Sequence, residues 1–292
     1  MLLAALAATV AATLFADQQR WIRTVEYRRD QVQAQAIAMA GVQWARQILN
    51  DDARSTTIDH LGEPWALTLP AIPLENGGVR GAISDAQGRL NVNGLGIIGP
   101  AYDIERARIA RLFTQRGGPV AALDAIADWV DADSITRPNG AEDAYYAARP
   151  VPGLAANAPV ARVAELDAVR GMTLPALAAV MPFLSALPSG TPVNVNTVSA
   201  EVLAAIVDHL EAEALGTLIA ARKAKPFTTI ADFRARLPEG ATVAGTESLS
   251  VKSDYFLVSV EAQQGATFAR ARALVHRSSD GSWPAVVWQV IE

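Results

Sequence analysis

The chain has 292 residues, is 51% hydrophobic and carries a formal charge of −5. That is enough apolar material for one substantial core and a second smaller one, which excludes a disordered chain, and the acidic balance gives no electrostatic reason to bind a phosphate backbone. Cysteine is absent, so disulfides, thiol nucleophiles, zinc-thiolate sites and iron-sulfur clusters are excluded too. His60, His209 and His276 lie far apart in sequence. A histidine metal or acid-base site would have to be assembled by the fold, and ordinary surface or partly buried histidines are the simpler reading.

From Met1 to Ala16 no residue is charged, and the run is rich in Leu and Ala, which predicts a helix. At ~1.5 Å per residue it covers ~24 Å, somewhat short of the ~30 Å hydrocarbon core of a bilayer. A cleaved signal peptide is the rival reading. Against it, the basic n-region is missing and the pattern continues without Pro or Gly from Asp17 to Ala40. The helix is expected to run on to about Leu49. Val32, Ala36, Ile37, Met39, Ala40, Trp44 and Ile48 recur at helical spacing, and Arg28, Arg29, Asp30, Gln31, Gln33 and Gln35 supply polar positions. A helix oily at one end and amphipathic at the other describes a membrane tether joined rigidly to a domain, and in this it resembles the type IV pilins and pseudopilins. A buried helix of a soluble protein is the alternative.

After Asp51 short alternating stretches predict strands at Trp65 to Leu69, Val79 to Ser84 and Arg89 to Val92. The same grammar returns at Tyr255 to Ala262, Thr267 to His276 and Ala285 to Ile291, with hairpin connections at Gln263-Gln264-Gly265 and Ser278 to Gly281. Between these ends the pattern is helical: Ile104 to Thr114, Val120 to Val130, Ala161 to Val169, Pro175 to Leu184, Ala200 to Leu210, Glu213 to Lys223 and Ile230 to Arg236. The expected architecture is α+β. A long N-terminal helix (1–50) packs on an antiparallel sheet built from 51–98 and 239–292, and an all-α domain (99–238) is inserted between the two parts. Asn91-Val92-Asn93 and Asn194-Val195-Asn196-Thr197 form an internal echo that stands for either a duplication or chance recurrence. Thr197 or Ser199 suits the N-cap of the helix starting near Ala200.

Together with the N-terminal helix and Gln43-Trp44-Ala45, four further stretches follow one another: Asp85-Ala86-Gln87-Gly88-Arg89-Leu90-Asn91-Val92-Asn93, Asp128-Trp129-Val130-Asp131-Ala132-Asp133, Gly140-Ala141-Glu142-Asp143-Ala144-Tyr145-Tyr146 and Val193-Asn194-Val195-Asn196-Thr197. This ordered set resembles the K-type minor pseudopilins of the type II secretion system and spans nearly the whole chain. The resemblance implies a non-catalytic subunit at the tip of the periplasmic pseudopilus. Such a subunit is anchored in the Gram-negative inner membrane by one helix, binds I-type and J-type minor pseudopilins, and helps start filament assembly for export. Contact with secreted substrates or the outer-membrane channel is a further expectation for the insert. Most pilins carry a glutamate at the fifth mature position; here it is Ala5, as in the K-type members. A tip subunit has no later neighbour above it, so a carboxylate in lipid there would only cost. The short basic leader is absent, leaving Met1 as either the mature first residue or a truncated start.

The strongest chemical signal is acidic: Asp124, Asp128, Asp131 and Asp133, then Glu142 and Asp143. Several of these carboxylates sit near a helix C-terminus, where the macrodipole disfavours them, and a hard cation with oxygen ligands would offset that cost. Asp131, Asp133, Glu142 and Asp143 are the candidate ligands, for calcium (Ca²⁺), which the resemblance also implies. A solvated acidic face, or salt bridges to Arg137 and Arg149, is the competing reading. Val32, Ala36, Met39 and Ala40 are the candidate partner contacts on the N-terminal helix, with packing on the chain's own sheet as the alternative. Val193 to Leu237 also resembles a helix-hairpin-helix module, which makes a membrane-tethered nucleic-acid binder the second function. Its hairpin, however, holds Val207-Asp208-His209-Leu210-Glu211 in place of the glycine that would present backbone donors to phosphate. No Gly-rich phosphate loop, nucleophile elbow or zinc-hydrolase motif is present, so catalysis is not expected.

Overall fold

The computed structural model describes residues 1–67 and 70–292, with the side chains of residues 4, 5, 7 and 8 excepted. The Ala5 side chain and the expected strand residues Thr68 and Leu69 therefore lie outside the described residues. The chain divides into two compact units. One comprises Met1–Asp52, Leu67–Ser84 and Leu257–Glu292; the other comprises Ala53–Ala66 and Asp85–Phe256.

In the first unit, helix α1 runs unbroken over Leu2–Ser55, as the absence of Pro and Gly through its first forty positions predicts. The sheet has five strands in the order β1 (Ile72–Leu74), β2 (Gly77–Asp85), β3 (Tyr255–Gln264), β4 (Thr267–His276) and β5 (Ala285–Ile291). β1 with β2, and β4 with β5, pair antiparallel. Neighbours β2 and β3 are separated in sequence by all the helices after α1, so the helical region interrupts the sheet and returns the chain to the adjacent strand. The buried side of α1 is made of Ala34, Ala38, Val42, Ala45 and Leu49, and the buried side of the sheet includes Val258, Val260, Ala262, Ala269, Ala271 and Ala273. Small residues on both sides let a helix lie close. Gly41 marks the tightest approach: a Cβ there would stand 2.7 Å from Val260 Cγ1, too near for any side chain without a shift. On the other face Phe268 is exposed, and Glu261 joins three strands by ion pairs to Arg80 and Arg270, which hold its carboxyl below the usual range. Among the described residues no helix is long and apolar enough to cross a membrane.

Two of the expected strands take other forms. Around Trp65 the chain makes a 3-10 turn, Pro64–Ala66, because proline fixes the entry angle and the indole needs burial with a partner. Trp65 Nε1 donates to Glu63 Oε2 at 2.8 Å, and the ring meets Phe256 edge-on at 5.1 Å in the second unit. At Arg89 to Val92 only Leu90–Asn91 is extended, in a parallel pair with Leu184–Ser185, after which Asn91 turns the chain into a 3-10 helix. The edge strand Ile72–Leu74 is an addition, placed where Pro73 forfeits no central ladder bond.

The second unit carries helices α2 (Pro100–Arg116), α3 (Ala122–Val130), α4 (Asp143–Ala147), α5 (Leu174–Val180), α6 (Ala200–Ile206), α7 (Ala212–Ala224) and α8 (Ile230–Ala235). It extends from Asp85 to Phe256, against the 99–238 of the helical pattern, because short extended pairs flank the helices within the same core. The segment expected as helix to Leu210 stops at Ile206. Val207–Asp208 then pairs antiparallel with Thr242–Val243, and His209 turns at φ 58°.

The internal echo proves to be a structural repeat. Asn91 Oδ1 accepts the Asn93 N–H at 3.2 Å, and Asn194 Oδ1 accepts the Asn196 N–H at 2.9 Å. Asn93 exchanges two bonds of 2.9 Å with the backbone of Val160, and Asn196 does the same with Phe227 at 2.9 and 2.8 Å. The clamped residues open matching stretches, Val160-Ala-Arg-Val-Ala-Glu-Leu166 and Phe227-Thr-Thr-Ile-Ala-Asp-Phe233. Each copy closes on Leu-Ser, Leu184–Ser185 or Leu249–Ser250, paired parallel with its own first strand. The copies differ at one connection. In the second only Lys225 and Pro226 separate α7 from Phe227, whereas in the first residues 131–159 intervene between α3 and Val160.

Asp85, at the start of this unit, is buried and accepts bonds from Ser253 Oγ, Thr197 Oγ1, Asn194 Nδ2 and the Gln87 N–H. Burial pushes its carboxyl from 3.8 up to about 6 in spite of those donors. Between those values the folded chain holds a proton that the unfolded chain has released, so this contribution to stability is complete at low pH and is lost as pH rises through about 6. The unfolding midpoint of the native protein, measured against Asp85→Asn, is expected to fall between pH ~4 and ~8; a constant difference would remove the claim.

Candidate functional site

The acidic residues lie on α3 and on the long connection 131–159 that follows it, and Asp124, Asp128 and Asp131, four and three residues apart, share one face of α3. Asp124 accepts from Arg106 Nη2 at 2.8 Å and from Asn139 Nδ2 at 3.1 Å. Asp128, fully buried, accepts from Arg137 Nη1 at 2.7 Å and from the Arg137 N–H at 3.2 Å. Asp131 Oδ2 accepts from the same Arg137 Nη1. The face therefore holds residues 137–139 down on α3. Gly140 is required beneath it: a Cβ there would fall 1.8 Å from Asp128 Oδ2. The pairing with Arg137 is thus made, whereas Arg149 donates to the Ala168 carbonyl at 3.1 Å and forms no salt bridge among the described residues.

A second acidic group shares Asp131 with the Arg137 pair. Asp131, Asp133 and Glu142 each offer a carboxylate oxygen within 4.8 Å of the others. Asp131 Oδ1 and both oxygens of Glu142 are buried without a hydrogen-bond donor. Burial, followed by the charges of Asp128, Asp131, Asp133 and Asp143, pushes the Glu142 carboxyl up to about 7; burial likewise raises Asp131. Asp133 stays exposed, with Oδ1 accepting the Ile135 N–H at 2.8 Å. Asp143 is apart from this group. It opens α4 and accepts the Ala155 N–H at 2.9 Å, fastening the far half of the connection. Buried acid oxygens that lack donors and repel one another are the donor set a hard cation suits, and no hydrogen-bond donor among the described residues reaches Asp131 Oδ1 or either oxygen of Glu142.

On α1 the candidate contacts all face outward. Val32 is 65% and Met39 42% exposed, Ala36 and Ala40 are exposed, and the sheet is met by the opposite face. Leu14, Trp21 and Val25 continue the outer stripe toward the N-terminus at helical spacing. The helix-hairpin-helix segment presents no comparable phosphate site. Arg222 is buried and donates to the Val195 and Val198 carbonyls, and Asp208 of the hairpin pairs with Arg111 at 2.6 Å.

Two family models described as type II secretion system protein K match residues 88–189 and 193–252, one on each copy of the repeat. The type II secretion system protein K of Pseudomonas aeruginosa is 32% identical, over 96% of this chain and 87% of that protein. The chain belongs to the type II secretion system protein K family. The Pectobacterium carotovorum protein K is 28% identical over 95% of this chain and 90% of its own length. Among solved structures, a chain of the GspK-GspI-GspJ complex from enterotoxigenic Escherichia coli matches with a TM-score of 0.79 and 25% identity, over 94% of this chain and 99% of that one. As a protein K the chain is a minor pseudopilin, a structural component of the secretion system, and its helix-on-sheet fold with the helical interruption is the family's own.

Proposed function

We propose that this protein K forms the tip of the pseudopilus by packing the outer stripe of α1 beside the helices of an I-type and a J-type minor pseudopilin. The observation that carries this is the exposed apolar face of Val32, Ala36 and Met39, which the chain's own sheet leaves uncovered. The similar solved chain comes from a complex with GspI and GspJ, which supports the choice of partners. The charge-free run Met1 to Ala16 anchors the subunit in the inner membrane as a single pass, with the bulk of the chain in the periplasm. The role is assembly, without catalysis, and the helical unit caps the filament and offers a surface to secreted substrates or the outer-membrane channel. Calcium belongs to this reading as a structural ion, held by Asp131, Asp133 and Glu142, with Asp143 supporting the loop that presents them. The donor-less buried oxygens of Asp131 and Glu142 are what support it.

The test is co-purification of the tagged full chain with the two other minor pseudopilins. Val32→Asp with Met39→Asp is expected to abolish recovery of both partners while moving the unfolding midpoint by less than ~4 °C, since each exposed position rarely changes stability by more than ~0.5 kcal/mol. Recovery of a strictly monomeric native chain in the presence of both partners would overturn the reading.

A further inference from the structure

A cleft of about 200 Å³ opens in the helical unit where the start of the first repeat meets the end of the second. Its apolar flank is Ile97 with Ala101 and Ile104 of α2, and its polar end holds Glu105, Glu247 and Ser248. Behind that end Arg108, 1% exposed, donates to Glu105 Oε1 at 2.8 Å, to Ser248 Oγ at 2.7 Å and to the carbonyls of Ala244 and Gly245 at 2.7 and 3.1 Å. Both terminal nitrogens of Arg108 are thereby occupied, but the acids are not matched. Glu105 is 8% exposed, and its Oε2 has no donor among the described residues; Glu247, exposed at the rim, forms no ion pair among them. Two carboxylates thus face one guanidinium. The roughly half positive charge at the start of α2 reduces the excess without cancelling it, so the cleft stays negative.

The shape selects among cations. A bare metal ion would leave the flank of Ile97, Ala101 and Ile104 unused and most of the volume empty. A methylene chain ending in a charge fits both parts, because long basic side chains bury their stems on apolar surface and keep the head among polar groups. We propose that this cleft receives the lysine or arginine side chain of a partner polypeptide, its stem along Ile97, Ala101 and Ile104 and its charge between Glu105 and Glu247. The site is separate from the α1 stripe and from the acidic connection, and it gives the helical unit a recognition pocket of its own.

The experiment uses the full chain in detergent with ¹³C-labelled isoleucine methyls. The probes are the capped tripeptide alanyl-lysyl-alanine, the same peptide with norleucine in place of lysine, and agmatine. Saturable shifts at the Ile97 and Ile104 methyls are expected with the lysine peptide, with a Kd on the order of 1 mM, and none with the norleucine peptide. Glu247→Gln, at an exposed position that leaves the fold intact, is expected to weaken binding about fivefold. Absence of a saturable shift, an equal response to norleucine, or unchanged affinity in Glu247→Gln overturns the proposal. Binding of agmatine without the peptide overturns the polypeptide as its source.

Discussion

Adding a calcium chelator to the purified protein is expected to lower its unfolding midpoint by about 10 °C. An ion present at about a thousand times its Kd adds about 4 kcal/mol, and each kcal/mol is worth about 2–4 °C in a domain of this size. The acidic connection is where that contribution would arise. Residues 131–159 form a long connection whose only regular element is the short α4, and its acids include three buried oxygens that no donor reaches. Without an ion those carboxylates repel one another in a desolvated place; a bound cation would turn that repulsion into ligation. Glu142→Gln is therefore expected to act with opposite signs. It raises the midpoint of the chelated protein, because a neutral amide replaces an acid already pushed up to about 7, and it lowers the midpoint in calcium. Scanning calorimetry on both proteins, with and without chelator, measures this. An unchanged midpoint on chelation would remove the ion from the account, and a uniform loss in Glu142→Gln would reduce Glu142 to a packing residue.

Asn196→Ala is expected to cost about 3–5 kcal/mol, and Asn93→Ala a similar amount. Each of these side chains satisfies both the N–H and the carbonyl of a buried backbone residue, Phe227 or Val160, so its loss strands two polar groups as well as removing their bonds. Asp cannot substitute, since it offers no donor to the carbonyl, and Asn→Asp is expected to be nearly as damaging. Denaturant unfolding with an unchanged m-value would report the loss; a cost below ~1 kcal/mol for either alanine variant would mean that the repeat is held elsewhere.

The sequence made this repeat visible only as two short asparagine motifs. Its partners, Val160 and Phe227, are nearly seventy and thirty positions away, and the bonds joining them run to backbone, which composition does not betray. The continuous helix α1 was legible because nothing in it breaks a helix, but its inward face was not. The apolar spacing picks out Val32, Ala36, Met39 and Trp44, whereas the buried side is Ala34, Ala38, Val42, Ala45 and Leu49, where the alanines add little to a hydrophobic pattern. At Trp65 alternation suggested a strand, and a proline with a buried indole decided otherwise. The acidic run was legible as a cluster; its division was not. Sequence cannot tell that Arg137 takes Asp128 and one oxygen of Asp131, leaving Asp133, Glu142 and the other oxygen together, because a loop folded back on α3 sets those distances. The cleft at Glu105 and Glu247 gave no signal, its walls coming from opposite ends of the helical unit.

The close approach of α1 to its sheet at Gly41 fixes only part of the helix. Every described side chain from Met1 to Arg29 is exposed, and burial starts in earnest at Ala34. In dilute solution the leading turns are therefore held by their own backbone ladder, and amide protons there are expected to exchange with solvent fast, while those from Ala34 to Leu49 are expected to open only with the whole unit. Slow exchange in the leading turns would have to be conferred from outside the chain, so the depth to which protection spreads toward Met1 reads out directly whether a neighbour or a bilayer has closed around it.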